Sequence, residues 1–265
     1  MPSHQSPGST TVLTGRLRAA GCVFAEEEAD LLVATARTPA ELDEMVARRV
    51  AGLPLEHVLG WADFCGIRVA VDPAVFVPRW RTEFLVRQAA ALAPPGAVVV
   101  DMCCGSGALG VALAASVDRI ELHAADNDPA AVRCARRNVE PIGGSVYEGN
   151  LFDALPASLV GRVEILMANT PYVPTGEIEM LPREARLHEP KAALDGGSDG
   201  LEVVRRVASA APDWLAAGGH LLIETSRRQA PMAASAFEAA GLMPRVATSD
   251  EYDATVVIGD KRELP

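Results

Sequence analysis

The stretch that most constrains this chain is residues 97–110, AVVVDMCCGSGALG. A short run of β-branched apolar residues ends in an acid, passes through closely spaced glycines and enters a helical pattern. An apolar run without alternation is what a strand covered on both faces requires. The glycines bring backbone close to whatever lies beyond the strand end. Similar runs recur at 120–126, 144–149, 163–168, 220–225, 243–249 and 254–259, with helical patterns between most of them. Strands alternating with helices predict an α/β domain around a mostly parallel sheet. The last two runs, linked only by DEYD, predict a terminal antiparallel hairpin. About half of the 265 residues are apolar, enough for a sizeable core.

Upstream the rhythm differs. Residues 1–10 are polar and are expected to fray; residues 11–51 read as helices. Thr38 is the expected N-cap of one helix, with Pro39 at its first position and Glu41 closing a capping box. Gly52 and Pro54 stop that helix, and DFCGIRVAVDP reads as a hairpin. The expected organisation is a helical N-terminal domain (1–53), a hairpin linker (54–75) and an α/β domain (76–265).

The totals exclude several classes. A net charge of −11, from 24 basic and 35 acidic residues, opposes a phosphate backbone, so nucleic acid is not expected as a partner. Five cysteines without a C-x-x-C pair fit a reduced cytosol better than disulfides or zinc. The five histidines lack ligand spacing, and no metal is expected. Neither a secretory signal nor a membrane span is legible. The oligomeric state is left between monomer and weak dimer.

Gly105-x-Gly107-x-x-Gly110 formally matches the dinucleotide fingerprint. It also suits an ordinary strand-to-helix turn. Asp101 decides for S-adenosylmethionine: at the strand end it repels a pyrophosphate and attracts an ammonium. Asp126 ends the next strand, where a carboxylate accepts from ribose hydroxyls. Asp128, before Pro129, reads as a helix N-cap. Asn150, Leu151 and Phe152 lie where an adenine would rest. Cys103 and Asn127 belong to the same two strand ends, and Arg79 and Thr82 are further candidates for the cleft.

The fourth strand ends in Asn169-Thr170-Pro171-Tyr172. The Asn169 side-chain oxygen and the Thr170 carbonyl are two acceptors for one planar NH2 group, and Tyr172 can stack on its plane. An amide nitrogen is a poor nucleophile because its lone pair is delocalised. Two acceptors favour pyramidalisation, and alignment supplies the rate. This tetrad is the expected catalytic element. Gly196-Gly197-Ser198-Asp199-Gly200 fits G-x-S-x-G, but EPKAALD before it is not strand-like, so a turn with Asp199 capping the next helix is expected instead.

PLEHVLGWADFCGIRVAVDPAVFVPRWRTEFLV, DMCCGSGALG, ANTPYVP and HEPKAALDGGSDGL together resemble the HemK/PrmC family of protein-glutamine N-methyltransferases, from about residue 54 onward. The resemblance implies a seven-stranded Rossmann-like methyltransferase fold with a helical N-terminal substrate-recognition domain. It implies cofactor contacts at Asp101, Gly105, Gly107, Asp126, Asn150 and Asn169, and a release-factor glutamine as acceptor in the cytoplasm. The chain departs from the family at Cys103 (usually Gly), Trp80 (Pro), Arg81 (acidic), Thr170 (Pro) and Asn150 (Asp), and its helical part is short. Such changes resemble an actinobacterial side branch of unassigned substrate. They leave a small-molecule N-methyltransferase, an NAD-dependent oxidoreductase and a non-catalytic binding module as alternatives.

Overall fold

The computed structural model describes residues 7–262. The expected fraying of residues 1–6 lies outside them, and helix α1 already begins at Pro7 (Pro7–Ala19). It is followed by α2 (Ala25–Thr35), α3 (Pro39–Val50) and the short α4 (Leu55–Leu59). Leu17, Ala25, Ala29, Leu32, Val46 and Val58 form a buried cluster of their own among these helices. Thr38 caps α3 by accepting from the Glu41 N–H at 3.1 Å. The capping box does not close on Thr38: the Glu41 carboxylate takes the Arg37 N–H at 2.9 Å and the Arg37 guanidinium instead. The guanidinium offers a charged partner the Thr38 amide cannot match.

The expected hairpin is present as β1 (Trp61–Phe64) and β2 (Ile67–Ala70), antiparallel around Cys65 and Gly66. Asn138 anchors it to the α/β part. Its side chain accepts from the Ala70 N–H and donates to the carbonyls of Ala70 and Ser106, each within 2.9 Å.

The α/β part runs α5 (Glu83–Leu92), β3 (Val98–Met102), α6 (Ala108–Ser116), β4 (Glu121–Asp126), α7 (Pro129–Val139), β5 (Ser145–Glu148) and β6 (Val163–Ala168). It continues with α8 (Arg183–His188), α9 (Glu202–Trp214), β7 (Leu215–Thr225), α10 (Ala230–Ala239), β8 (Met243–Ser249) and β9 (Ala254–Asp260). Seven strands form one sheet in the order β5-β4-β3-β6-β7-β9-β8. The first five are parallel; β9 pairs antiparallel with both β7 and β8. Strand β7 starts five residues before the predicted run, and its register shifts opposite Val163 and Ile165.

Every residue of β3 is buried, as its apolar run requires. Helix α7 buries Ala131, Val132, Cys134, Ala135 and Val139, a helical period against the sheet, and Asp128 caps it through the Ala130 N–H at 2.8 Å. From β3 the chain first adds strands on one side, then crosses to β6 on the other. That reversal opens a crevice beyond the carboxyl end of β3, the place where open α/β sheets take ligands. Among the described residues no helix is long and apolar enough to cross a membrane.

Candidate functional site

The crevice is a cleft of about 460 Å³ at the carboxyl ends of β3, β4 and β6. It brings together Cys103, Gly105, Asp126, Asn127, Asn150, Leu151, the tetrad Asn169–Tyr172 and Arg79. Its volume falls within the range of small-molecule and cofactor sites.

The glycine loop is tied to the next strand. Asp126 accepts from the Gly105 N–H and the Asp128 N–H, both at 2.9 Å. Burial pushes the Asp126 carboxyl upward, against those two donors. Gly105 has φ +57°, and a Cβ there would meet no atom within 4 Å, which leaves room for a ligand against the backbone. Cys103 holds φ +57° without being glycine, a conformation costing an L-residue about 1–2 kcal/mol. Burial raises its thiol pKa, so it is held as neutral thiol.

Four expected positions lie elsewhere. Asp101 does not face the cleft: it is fully buried, and its Oδ2 accepts from the Gly110 N–H at 2.9 Å, holding α6. Desolvation pushes its pKa up to about 7, and among the described residues its Oδ1 has no hydrogen-bond partner. Gly107 lies behind the loop, where a Cβ would come within 2.8 Å of Val139 Cγ2, so it serves helix packing. Phe152 points into the core and stacks on Trp214 with centroids 5.4 Å apart. Thr82 is fully buried beneath the rim, beside the Glu224 carboxyl.

The tetrad leaves β6 and is held from behind. The Gln229 side chain, 2% exposed, donates from Nε2 to the carbonyls of Tyr172 and Asp199, both at 2.9 Å. Its Oε1 accepts from the Ser226 hydroxyl at 2.6 Å. The 196–200 segment is a turn, as expected; Asp199 accepts from the Leu201 N–H just before α9. A Cβ at Gly196 would come within 2.6 Å of the Pro171 carbonyl, and one at Gly200 would collide with the Tyr172 carbonyl. These glycines therefore let the turn press against the tetrad backbone.

Asn169 is half-buried, and among the described residues its side chain has no hydrogen-bond partner. The neighbouring Thr170 carbonyl is likewise free of backbone partners. Burial first, then the nearby Glu224 carboxyl, pushes the Tyr172 phenol up to about 12. Tyr172 is neutral at any ordinary pH.

Three contributors carry no local sequence signal. Arg206, on α9, lines the cleft and donates to Asn150 Oδ1 at 2.9 Å. Glu189 is buried, pairs with Arg79, and accepts from the Val77 N–H at 3.4 Å. Gln229 stands 57 residues from its partner Tyr172.

The residues present fit an S-adenosylmethionine molecule. Gly105 leaves a cradle free of any Cβ contact, and Asp126 and Asn127 present acceptors to hydroxyl groups. Leu151 supplies an apolar wall.

The methyltransferase small domain family model matches residues 80–194. A release factor glutamine methyltransferase of Geobacter sulfurreducens is 38% identical over 219 residues, 82% of this chain and 76% of the relative. The 4-amino-L-phenylalanine/4-methylamino-L-phenylalanine methyltransferase of Streptomyces pristinaespiralis is 34% identical over 251 residues, 86% of this chain and 85% of the relative. A methyltransferase crystal structure from Pyrococcus furiosus superposes with a TM-score of 0.58 at 15% identity, covering 83% of this chain and 99% of that one, which shows the shared fold. With that fold and these relatives, the chain belongs to the HemK/PrmC family of S-adenosylmethionine-dependent methyltransferases.

Proposed function

We propose that the chain methylates the nitrogen of a planar amide, the glutamine side chain of a protein such as a peptide-chain release factor. One observation carries this reading. The unpartnered Asn169 side chain and the Thr170 carbonyl stand together in the cleft that also holds Gly105 and Asp126.

S-adenosylmethionine, when bound, supplies an electrophilic methyl group on a sulfonium. Gly105, Asp126, Asn127, Asn150 and Leu151 would hold it. Asn169 Oδ1 and the Thr170 carbonyl accept the two N–H bonds of the acceptor and turn its lone pair out of the amide plane. Tyr172 covers the plane. Gln229 keeps this corner in place, so alignment rather than a strong base supplies the rate. Thr170 in place of proline retains the acceptor, because only its carbonyl is used.

The N-terminal helices (1–53) are proposed as the substrate-recognition domain, 54–75 as linker and 76–265 as the catalytic domain. Arg49 on α3 supports this. It pairs with Glu28 at 2.6 Å and with Glu184 at 3.4 Å, and Glu184 lines the cleft. A cytoplasmic location fits an acceptor of the translation apparatus.

A second reading, N-methylation of a small amino acid carrying a ring amine, is favoured by the Streptomyces pristinaespiralis relative, whose alignment spans 86% of this chain. An aryl NH2 is also planar and fits the same two acceptors. The test is incubation with labelled S-adenosylmethionine and purified release factor, small amides, aryl amines or cell extract. Label on an acceptor nitrogen is expected; transfer to oxygen, sulfur or carbon, or to nothing, overturns the reading.

A further inference from the structure

The charged side chains that line the cleft are nearly all spoken for. Arg79 pairs with Glu189, and Glu184 pairs with Arg49. Asp126 holds two backbone N–H groups, Asp128 caps α7, and Arg206 donates to Asn150. Arg81 differs. It lines the same cleft, and among the described residues its side chain makes no hydrogen bond or ion pair.

Its position is nonetheless well defined. Arg81 is the middle residue of a 3-10 turn, Trp80–Thr82, leading into α5. On one side the Trp80 ring packs on Tyr252 with centroids 4.7 Å apart; on the other, Thr82 is fully buried. Both neighbours are anchored, so the Arg81 backbone is fixed at the rim. It lines the cleft together with Tyr172, whose phenol feels its positive charge.

We propose that Arg81 is a carboxylate subsite: the acceptor carries a carboxylate that reaches the cleft rim while its reacting nitrogen lies at Asn169. The source is either the α-carboxylate of a free amino acid or an Asp or Glu side chain flanking the target residue in a protein. The inference rests on the N-methyl transfer proposed above. A guanidinium offers a planar fork that a carboxylate meets with two parallel hydrogen bonds. At the mouth of a partly apolar cleft such a pair is less screened than on an open surface.

A competing role is close at hand. The Arg81 charge also acts on the buried Glu224 carboxyl, so the residue would otherwise serve that group and Tyr172 alone. Acceptor selectivity separates the two roles, because support of Glu224 acts equally on every acceptor.

The experiment measures labelled methyl transfer into matched acceptors. Free L-glutamine and 4-amino-L-phenylalanine are compared with their α-carboxamides, and glutamine peptides flanked by Glu with peptides flanked by Gln. The wild-type chain is expected to prefer the carboxylate member of at least one pair by about tenfold or more in kcat/KM. The pair that shows the preference names the source. Arg81→Gln should bring that ratio close to one, Arg81→Lys should keep part of it, and 0.5 M salt should reduce it. Glu224→Gln should lower both members together and leave the ratio unchanged. A wild-type ratio near one in all pairs, or a ratio unmoved in Arg81→Gln, overturns the subsite while leaving N-methyl transfer intact. If only a protein in extract is labelled, a target without an acidic flank has the same consequence. Label on no nitrogen anywhere removes the underlying reading, and the subsite with it.

Discussion

Gln229 gives the sharpest test of how the tetrad is held. Its Nε2 is buried and donates to two backbone carbonyls, those of Tyr172 and Asp199, at 2.9 Å each. The Ser226 hydroxyl on Oε1 fixes the amide's orientation. In Gln229→Ala both carbonyls lose their donor. Each buried orphan costs about 1–3 kcal/mol, so the loss is roughly 2–6 kcal/mol. At roughly 2–4 °C per kcal/mol for a chain of this size, the melting temperature should fall by roughly 4–24 °C. Gln229→Glu keeps the shape but aims an oxygen at two carbonyl oxygens, and should cost at least as much. Release of the Tyr172 backbone by as little as ~1 Å would lower kcat by about a hundredfold. The cofactor Kd should move little, because Gly105 follows β3 and Asp126 ends β4, on the far side of β6. Calorimetric titration, thermal melts and labelled-methyl kinetics would be run on both variants. A Gln229→Glu protein with wild-type melting temperature and turnover would refute the argument.

Three further outcomes follow from the site. Asn169→Ala should cut methyl transfer by at least about a hundredfold with near-normal cofactor affinity, measured by turnover and titration, because the proposed acceptor for the substrate nitrogen is gone. Asp126→Ala should weaken cofactor binding roughly ten- to a hundredfold, since it removes the proposed ribose acceptor and strips the Gly105 N–H of its partner. Asp101 predicts a pH effect. Its folded pKa, pushed up to about 7, lies above its unfolded value, so its contribution is fully present below about pH 4 and is lost as pH rises through 7. Asp101→Asn, which can still accept from the Gly110 N–H, should gain stability over wild type across that window, by on the order of 4 kcal/mol at its upper end. Urea unfolding at pH 4, 6 and 8 measures this; a constant difference between the two proteins would refute it.

Much of the scaffold was legible because local chemistry decides it. The Asp128-Pro129 start of α7, the Thr38-Pro39 start of α3, the β8–β9 hairpin and the strand ends at Asp126 and Ala168 each follow from a cap, a turn or a run of apolar residues within a few positions. The place of Asn169–Tyr172 in the cleft lining was legible too, because these four residues follow a strand's carboxyl end in one contiguous piece. Residues whose side-chain direction is set by packing were misplaced. Asp101 was read as facing a ligand, yet its carboxylate turns to Gly110; Phe152 and Thr82 were read as cleft walls, yet they pack inward.

The order of apolar runs, glycines and caps in this sequence was sufficient to specify a mostly parallel sheet and the strand ends where a ligand would lie, since both depend on periodicity and backbone freedom close in the chain. Which side chains meet in the cleft was decided only in three dimensions. Gln229 reaches Tyr172, Arg206 reaches Asn150 and Glu189 reaches Arg79 across 57, 56 and 110 positions. Burial and long-range pairing set the direction and charge of a side chain, and neither is a property of a residue and its sequence neighbours.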